Sequence, residues 1–171
     1  MLHKSLRLAA LVAALAILTG CASGSGASYT ATTVKNANTG AESVSLVREK
    51  TPVAVVDQHL KALNACDWAG LMAQYPDQTE VHLPGGTVIK GRQAVADLFA
   101  GFVLPPADGG LCGITFSEES RQVINGTLAV QWVANADFLA EPYRGSDAYI
   151  TDDGLMVAMV STFNGADLKM K

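Results

Sequence analysis

Two hydrophobic periods run along this chain, and the change between them divides it. From residue 52 to residue 103 apolar side chains recur every three or four positions. Val53, Val56, Leu60 and Leu63 share one face of a helix that Pro52 opens, with Thr51 placed to cap it. Asn64-Ala65-Cys66 ends that helix. Asp67 caps a second one, whose stripe is Trp68, Leu71, Met72 and Tyr75, and Pro76 stops it. Residues 79–83 alternate as a strand, Pro84-Gly85-Gly86 turns the chain, and residues 87–89 can pair back. Residues 93–103 predict a third helix that buries Ala94, Val95, Leu98, Phe99 and Phe102. After a loop with Pro105-Pro106 and Gly109-Gly110 the period becomes two. Strands are predicted over residues 114–124, 127–139, 143–151 and 155–163, with Asn125-Gly126 and Asp152-Asp153-Gly154 as hairpin turns. Helices first and antiparallel strands afterwards imply an α+β fold, with the helices packed on one face of the sheet.

The first 49 residues do not share either period. His3, Lys4 and Arg7 precede an apolar run from Leu8 to Leu18, which is too short for an ordinary membrane span. The run ends in Leu18-Thr19-Gly20-Cys21, which resembles the bacterial lipobox. That resemblance implies a signal peptide over residues 1–20 and lipid on Cys21, which would anchor the chain to a membrane of the cell envelope. Ala22 is not acidic, and this points to the periplasmic face of the outer membrane in a Gram-negative cell. An ordinary secretory signal with Cys21 near its cut is the alternative. Residues 21–49 are rich in Ser, Thr, Gly, Ala and Asn and read as a flexible tether. A domain over residues 50–165 follows, and then a tail over 166–171.

Charge and cysteine content narrow the functions. The full chain has a formal net charge of −4. Losing residues 1–20 removes Lys4 and Arg7, leaving 10 basic against 16 acidic side chains and a net charge of −6. A nucleic-acid binder would need a basic face, so none is expected. With Cys21 lipidated, Cys66 and Cys112 remain, and an exported protein can join them in a disulfide; two separate buried thiols are the alternative.

The segments "NACDW", "YPDQTEVHLPGG", "IKGRQAVADLF" and "DAYITDDGLM", in this order, resemble the nuclear transport factor 2-like superfamily. That group includes the ketosteroid isomerases and the SnoaL-like polyketide cyclases. The resemblance spans residues 52–163. It implies three helices held in a strongly curved sheet, a cone with an internal and largely apolar cavity. It also implies dimers formed through the sheet face. Set against the isomerases, His82 falls at the general base, His59 at the first oxyanion donor and Asp147 at the second. Tyr75, Phe99, Phe102, Trp132, Tyr149 and Met156 become the expected ligand-binding wall.

The residue types permit proton transfer. A neutral His82 could take a proton beside a carbonyl, while His59 and a protonated Asp147 stabilise the resulting oxyanion. Without the resemblance, His82 and Glu80 are the wet side of their strand, with Val81 and Leu83 opposite. His59 then borders an apolar helix stripe, and Asp147 alternates along a strand with Tyr149 and Thr151. His59, His82 and Asp147 are metal-ligand types, but no spacing among them demands a metal, so neither metal nor cofactor is expected. Three functions remain. The first is binding of a small apolar ligand in the cavity. The second is an isomerase or lyase using His82, His59 and Asp147. The third is an envelope protein-interaction module.

Overall fold

A computed structural model describes residues 27–171. A short antiparallel hairpin, β1 (Val34–Lys35) and β2 (Glu42–Ser43), precedes the first helices, α1 (Pro52–Asn64) and α2 (Trp68–Met72). The strands β3 (Glu80–His82) and β4 (Val88–Lys90) lead into α3 (Arg92–Phe102). Four longer strands complete the chain: β5 (Thr115–Ile124), β6 (Thr127–Asn135), β7 (Tyr143–Asp152) and β8 (Leu155–Ser161).

The expected caps are present. Thr51 Oγ1 accepts from the Ala54 amide at 3.1 Å, and Asp67 Oδ1 accepts from the Gly70 amide at 2.9 Å. α2 is shorter than its stripe suggested, yet Tyr75 beyond its end is fully buried. On α3 the buried small residues are Ala96 and Ala100, whereas Ala94 is exposed.

The six longer-range strands form one sheet in the order β4-β3-β8-β7-β6-β5. The sheet is mixed rather than wholly antiparallel, because β3 runs parallel to β8, with Val81 opposite Met159 and His82 opposite Val160. β6 alternates as its sequence predicts: Leu128, Val130, Trp132 and Ala134 are fully buried on the inner face. Across from Trp132 on β7 stands Gly145. A Cβ there would lie 2.5 Å from the indole ring, so glycine leaves the room that Trp132 fills. α1 packs against β5, β6, β7 and β8.

The segment expected to be a tether is folded from residue 29 onward. Asp77 accepts hydrogen bonds from Thr30 Oγ1, Thr32 N and Thr32 Oγ1, each at 2.8 Å. Arg92, 2 % exposed, donates to the carbonyls of Tyr75 and Ser45 and to Ser43 Oγ. Val34 is buried against the core. The short tail is tied down as well: Leu139 bridges Met170, and the Lys171 amide donates to Phe138 O at 3.0 Å. Cys66 and Cys112 are joined by a disulfide with their Cα atoms 5.6 Å apart, within the ordinary range.

Candidate functional site

His82 does not reach the interior. On β3 the side chains alternate, and Val81, fully buried, takes the inner face. His82 takes the outer one, opposite Val88 and Val160, which are 38 % and 46 % exposed. Its Nε2 pairs with Glu80 Oε1 at 2.9 Å, in a side chain 40 % exposed. The bonds from His82 and Lys90 hold the Glu80 carboxyl below its usual range. The proposed general base is therefore a surface residue, and the inner position next to it belongs to Leu83, which has no proton to exchange. A shift of one residue along a strand exchanges the two faces, so a position one residue away decides between cavity and surface here.

His59 and Asp147 both line an internal cavity of about 80 Å³. His59 sits on the buried face of α1, 1 % exposed. Gln74 Nε2 donates to Val55 O at 2.9 Å, which leaves Gln74 Oε1 as an acceptor for His59 Nδ1 at 3.2 Å. This network assigns the proton to Nδ1. Tyr75 Oη lies 3.4 Å from the same nitrogen. His59 Nε2 is then a lone-pair acceptor, and it is buried with no hydrogen-bond partner. Burial lowers the His59 pKa to about 4, against a smaller opposing effect of Gln74, so the ring is neutral near pH 7.

Asp147 projects inward from β7 and is 9 % exposed. Its Oδ1 accepts from Ser161 Oγ at 2.8 Å and from the Thr162 amide at 3.2 Å. Its Oδ2 accepts from Tyr149 Oη at 3.0 Å. Burial raises its pKa, while these donors and the nearby Trp132 indole pull the other way. The indole N–H stands close to the carboxylate without meeting hydrogen-bond geometry. Burial and then the Asp147 charge push the Tyr149 phenol well above its ordinary value, so it remains a donor. Among the described residues no hydrogen bond joins His59 to Asp147. Tyr149 links their surroundings, with its ring centroid 5.4 Å from that of His59.

Apart from Ser161 and the Tyr149 hydroxyl, the rest of the cavity wall is apolar. Phe99, Phe102 and Tyr149 line it as expected. Tyr75 stands behind His59 instead, and Trp132 and Met156 belong to the core: the indole packs on Phe116 and Phe163, and the Met156 amide donates to Gln74 O. Leu63, Phe116, Met159, Ser161 and Phe163 were not anticipated as wall residues. The signal was present in the alternation of residues 155–163, which sets 159, 161 and 163 on one face. Outside the cavity a groove of about 510 Å³ runs between the Pro84–Gly86 turn, the end of α3 and the Gly109-Gly110 loop. Leu83, Leu98, Phe102 and Phe163 line both spaces and form the partition between them. All four are half-buried.

Among the described residues no cluster of His, Cys, Asp and Glu could hold a metal ion, and no helix is long and apolar enough to cross a membrane. Cys21, expected to carry lipid, lies outside the described residues.

No protein-family model and no curated protein matches this chain. Solved structures do. A nuclear transport factor 2-like protein of unknown function from Cytophaga hutchinsonii superposes with a TM-score of 0.54 at 11 % identity, covering 69 % of this chain and 94 % of that one. The Delta 5-3-ketosteroid isomerase from Mycobacterium sp. gives 0.54 at 20 % identity, covering 71 % and 99 %. An LEH-like epoxide hydrolase from Mycobacterium tuberculosis gives 0.53 at 16 % identity, covering 68 % and 85 %. The helices, the mixed six-stranded sheet and these superpositions together show that the chain has the nuclear transport factor 2-like fold.

Proposed function

We propose that this chain is a lipid-anchored envelope protein whose domain binds a small, largely apolar molecule bearing one hydrogen-bond donor. The observation that carries the reading is His59 Nε2, a buried acceptor without a partner on the wall of a largely apolar cavity whose other polar side chains, Asp147, Tyr149 and Ser161, are hydrogen-bonded to one another. Leaving such an atom unsatisfied costs about 1–3 kcal/mol, and a ligand hydroxyl or N–H would recover it. The inner space of about 80 Å³ suits only the polar end of a ligand, while the groove of about 510 Å³ suits its body. Anchoring rests on the lipobox-like Leu18-Thr19-Gly20-Cys21.

A proton-transfer enzyme of isomerase or lyase type is the second reading. It is favoured by the same free nitrogen and by the isomerase and the hydrolase that share the fold. In it His59 accepts the proton, and Tyr149 must turn its single hydroxyl hydrogen from Asp147 to the developing oxyanion. His82 has no part in it.

The test uses the full chain produced in a bacterium that lipidates proteins. 2-Naphthol, a fluorescent apolar probe with one terminal O–H and uncharged at pH 7, should bind wild type. It should bind His59→Leu about 5- to 10-fold more weakly, as one lost hydrogen bond predicts. Equal affinity would remove His59 from the site. Mass spectrometry of an organic extract identifies any co-purified ligand, and catalytic turnover of that molecule would select the enzyme reading. Cys21→Ser should move the chain from the membrane to the soluble fraction.

A further inference from the structure

The domain has two ends, and its chemistry is divided between them. At one end stand the β7–β8 turn and the β5–β6 turn. They are joined by Thr151, whose N and Oγ1 both donate to Gly126 O, at 2.8 and 2.9 Å. The chain coming from the N-terminus meets the domain there: Tyr29 Oη donates to Asp152 at 2.7 Å, and Arg48 pairs with Asp153 at 2.8 Å. At the other end lie Leu83, Phe102 and Phe163 and the groove they open into. β8 runs from the first end to the second. From Leu155 to Ser161 it spans roughly 20 Å at the usual rise of a strand.

The first end also carries an apolar tip. Val123 and Ile124, 50 % and 65 % exposed, are the last residues of β5 before the Asn125-Gly126 turn. Around the neighbouring turns the acidic Glu49, Asp152 and Asp153 stand with the basic Arg48 and Lys50, so the charges there nearly balance. From Cys21 to Tyr29 there are eight residue steps, which reach at most about 28 Å.

We infer that the Val123–Ile124 tip is a membrane-docking surface whose occupant is the lipid bilayer that holds Cys21, so that the groove opens away from the membrane. This rests on the anchoring half of the proposed function. A lipid on Cys21 confines Tyr29, and with it this end of the domain, to within about 28 Å of the bilayer. Apolar side chains held so near gain by entering the interface. No polybasic cluster is present, so the contact does not need anionic lipid. Ligand is then taken up from the aqueous side.

The test reconstitutes the full lipidated chain in phosphatidylcholine vesicles containing a brominated phosphatidylcholine. The native Trp68 and Trp132 are buried, so added tryptophans report their own positions. Ile124→Trp should be quenched and blue-shifted, and Thr87→Trp, at the groove, should be neither. Both positions are exposed, and near-ultraviolet circular dichroism checks the fold of each variant. Equal quenching at both positions, or quenching of Thr87→Trp alone, overturns the orientation while leaving lipid anchoring intact. No quenching of Ile124→Trp in a protein that floats with vesicles overturns docking of the tip. A chain whose mass shows no lipid at Cys21 and which does not float overturns the anchoring and this inference together.

Discussion

Buried neutral His59 makes the domain sensitive to acid in a calculable way. Its pKa falls from 6.5 to about 4 on folding, chiefly through burial. Between these values the unfolded chain binds a proton at His59 and the folded chain does not. Acid therefore favours unfolding over that range: the stability held above pH 6.5 is lost as pH falls toward 4. Fully expressed, the difference is about 3 kcal/mol, and between pH 7 and pH 5 it is about 2 kcal/mol. Asp147 acts in the opposite sense. Its folded pKa is raised, so its contribution is present at low pH and fades as pH rises through that value. The effect of His59 is isolated by comparing wild type with His59→Asn, which retains Asp147 and can still donate an amide hydrogen to Gln74. Urea unfolding at pH 7 and pH 5 gives the four free energies required. His59→Asn should be the less stable protein at pH 7, yet lose about 2 kcal/mol less than wild type on acidification. A pH dependence within about 0.5 kcal/mol of wild type would show that His59 already protonates in the fold, and the acceptor role of Nε2 would fall with it.

Other perturbations probe the remaining features. Cys66 and Cys112 close a loop of 46 residues, and replacing both with Ser should cost about 4 kcal/mol on the chain-entropy account, read as a lower urea midpoint. Phe102→Ala removes part of the partition between groove and cavity. It should speed association of an apolar probe in stopped-flow fluorescence while costing about 2 kcal/mol of stability, since the ring is only half-buried. His82→Ala should change stability by less than about 0.5 kcal/mol and leave probe affinity unaltered in the same titration, because it removes a surface pair.

Local chemistry made much of the fold legible. Thr51-Pro52 and Asp67 predicted where helices start because capping depends on residues within three positions. Asn125-Gly126 predicted its turn because Asn125 must adopt a left-handed backbone, which it does at φ 54°. The parallel contact of β3 with β8 had no such signal. It joins residues about 78 positions apart, and three-residue strands carry too short an alternation to reveal a partner. The hairpin of residues 34–43 was hidden for a related reason. Its composition is that of a linker, and it is ordered by distant groups: the buried guanidinium of Arg92, the Asp77 carboxylate and an apolar slot for Val34.

The site shows how the two kinds of sequence reasoning differ in reach. Alternation along residues 79–83 set His82 with Glu80 on the wet face, and that is where it lies. Positional likeness to isomerases set it inside, in a segment where a single residue exchanges inside for outside. It also set His59 and Asp147 inside, and both line the cavity, positioned by longer elements: a 13-residue helix and a 10-residue strand whose buried faces leave little freedom of register. The consequence is chemical. With Leu83 at the inner position of β3, the polar chemistry of the cavity is confined to α1 and the β7–β8 side: one neutral imidazole acceptor, and one carboxylate already occupied by Ser161, Thr162 and Tyr149. A catalyst needs a group free to take a proton and a second free to support the charge that forms. The free imidazole nitrogen and the largely apolar wall suit the binding reading proposed above, and the enzyme reading requires in addition that Tyr149 release Asp147.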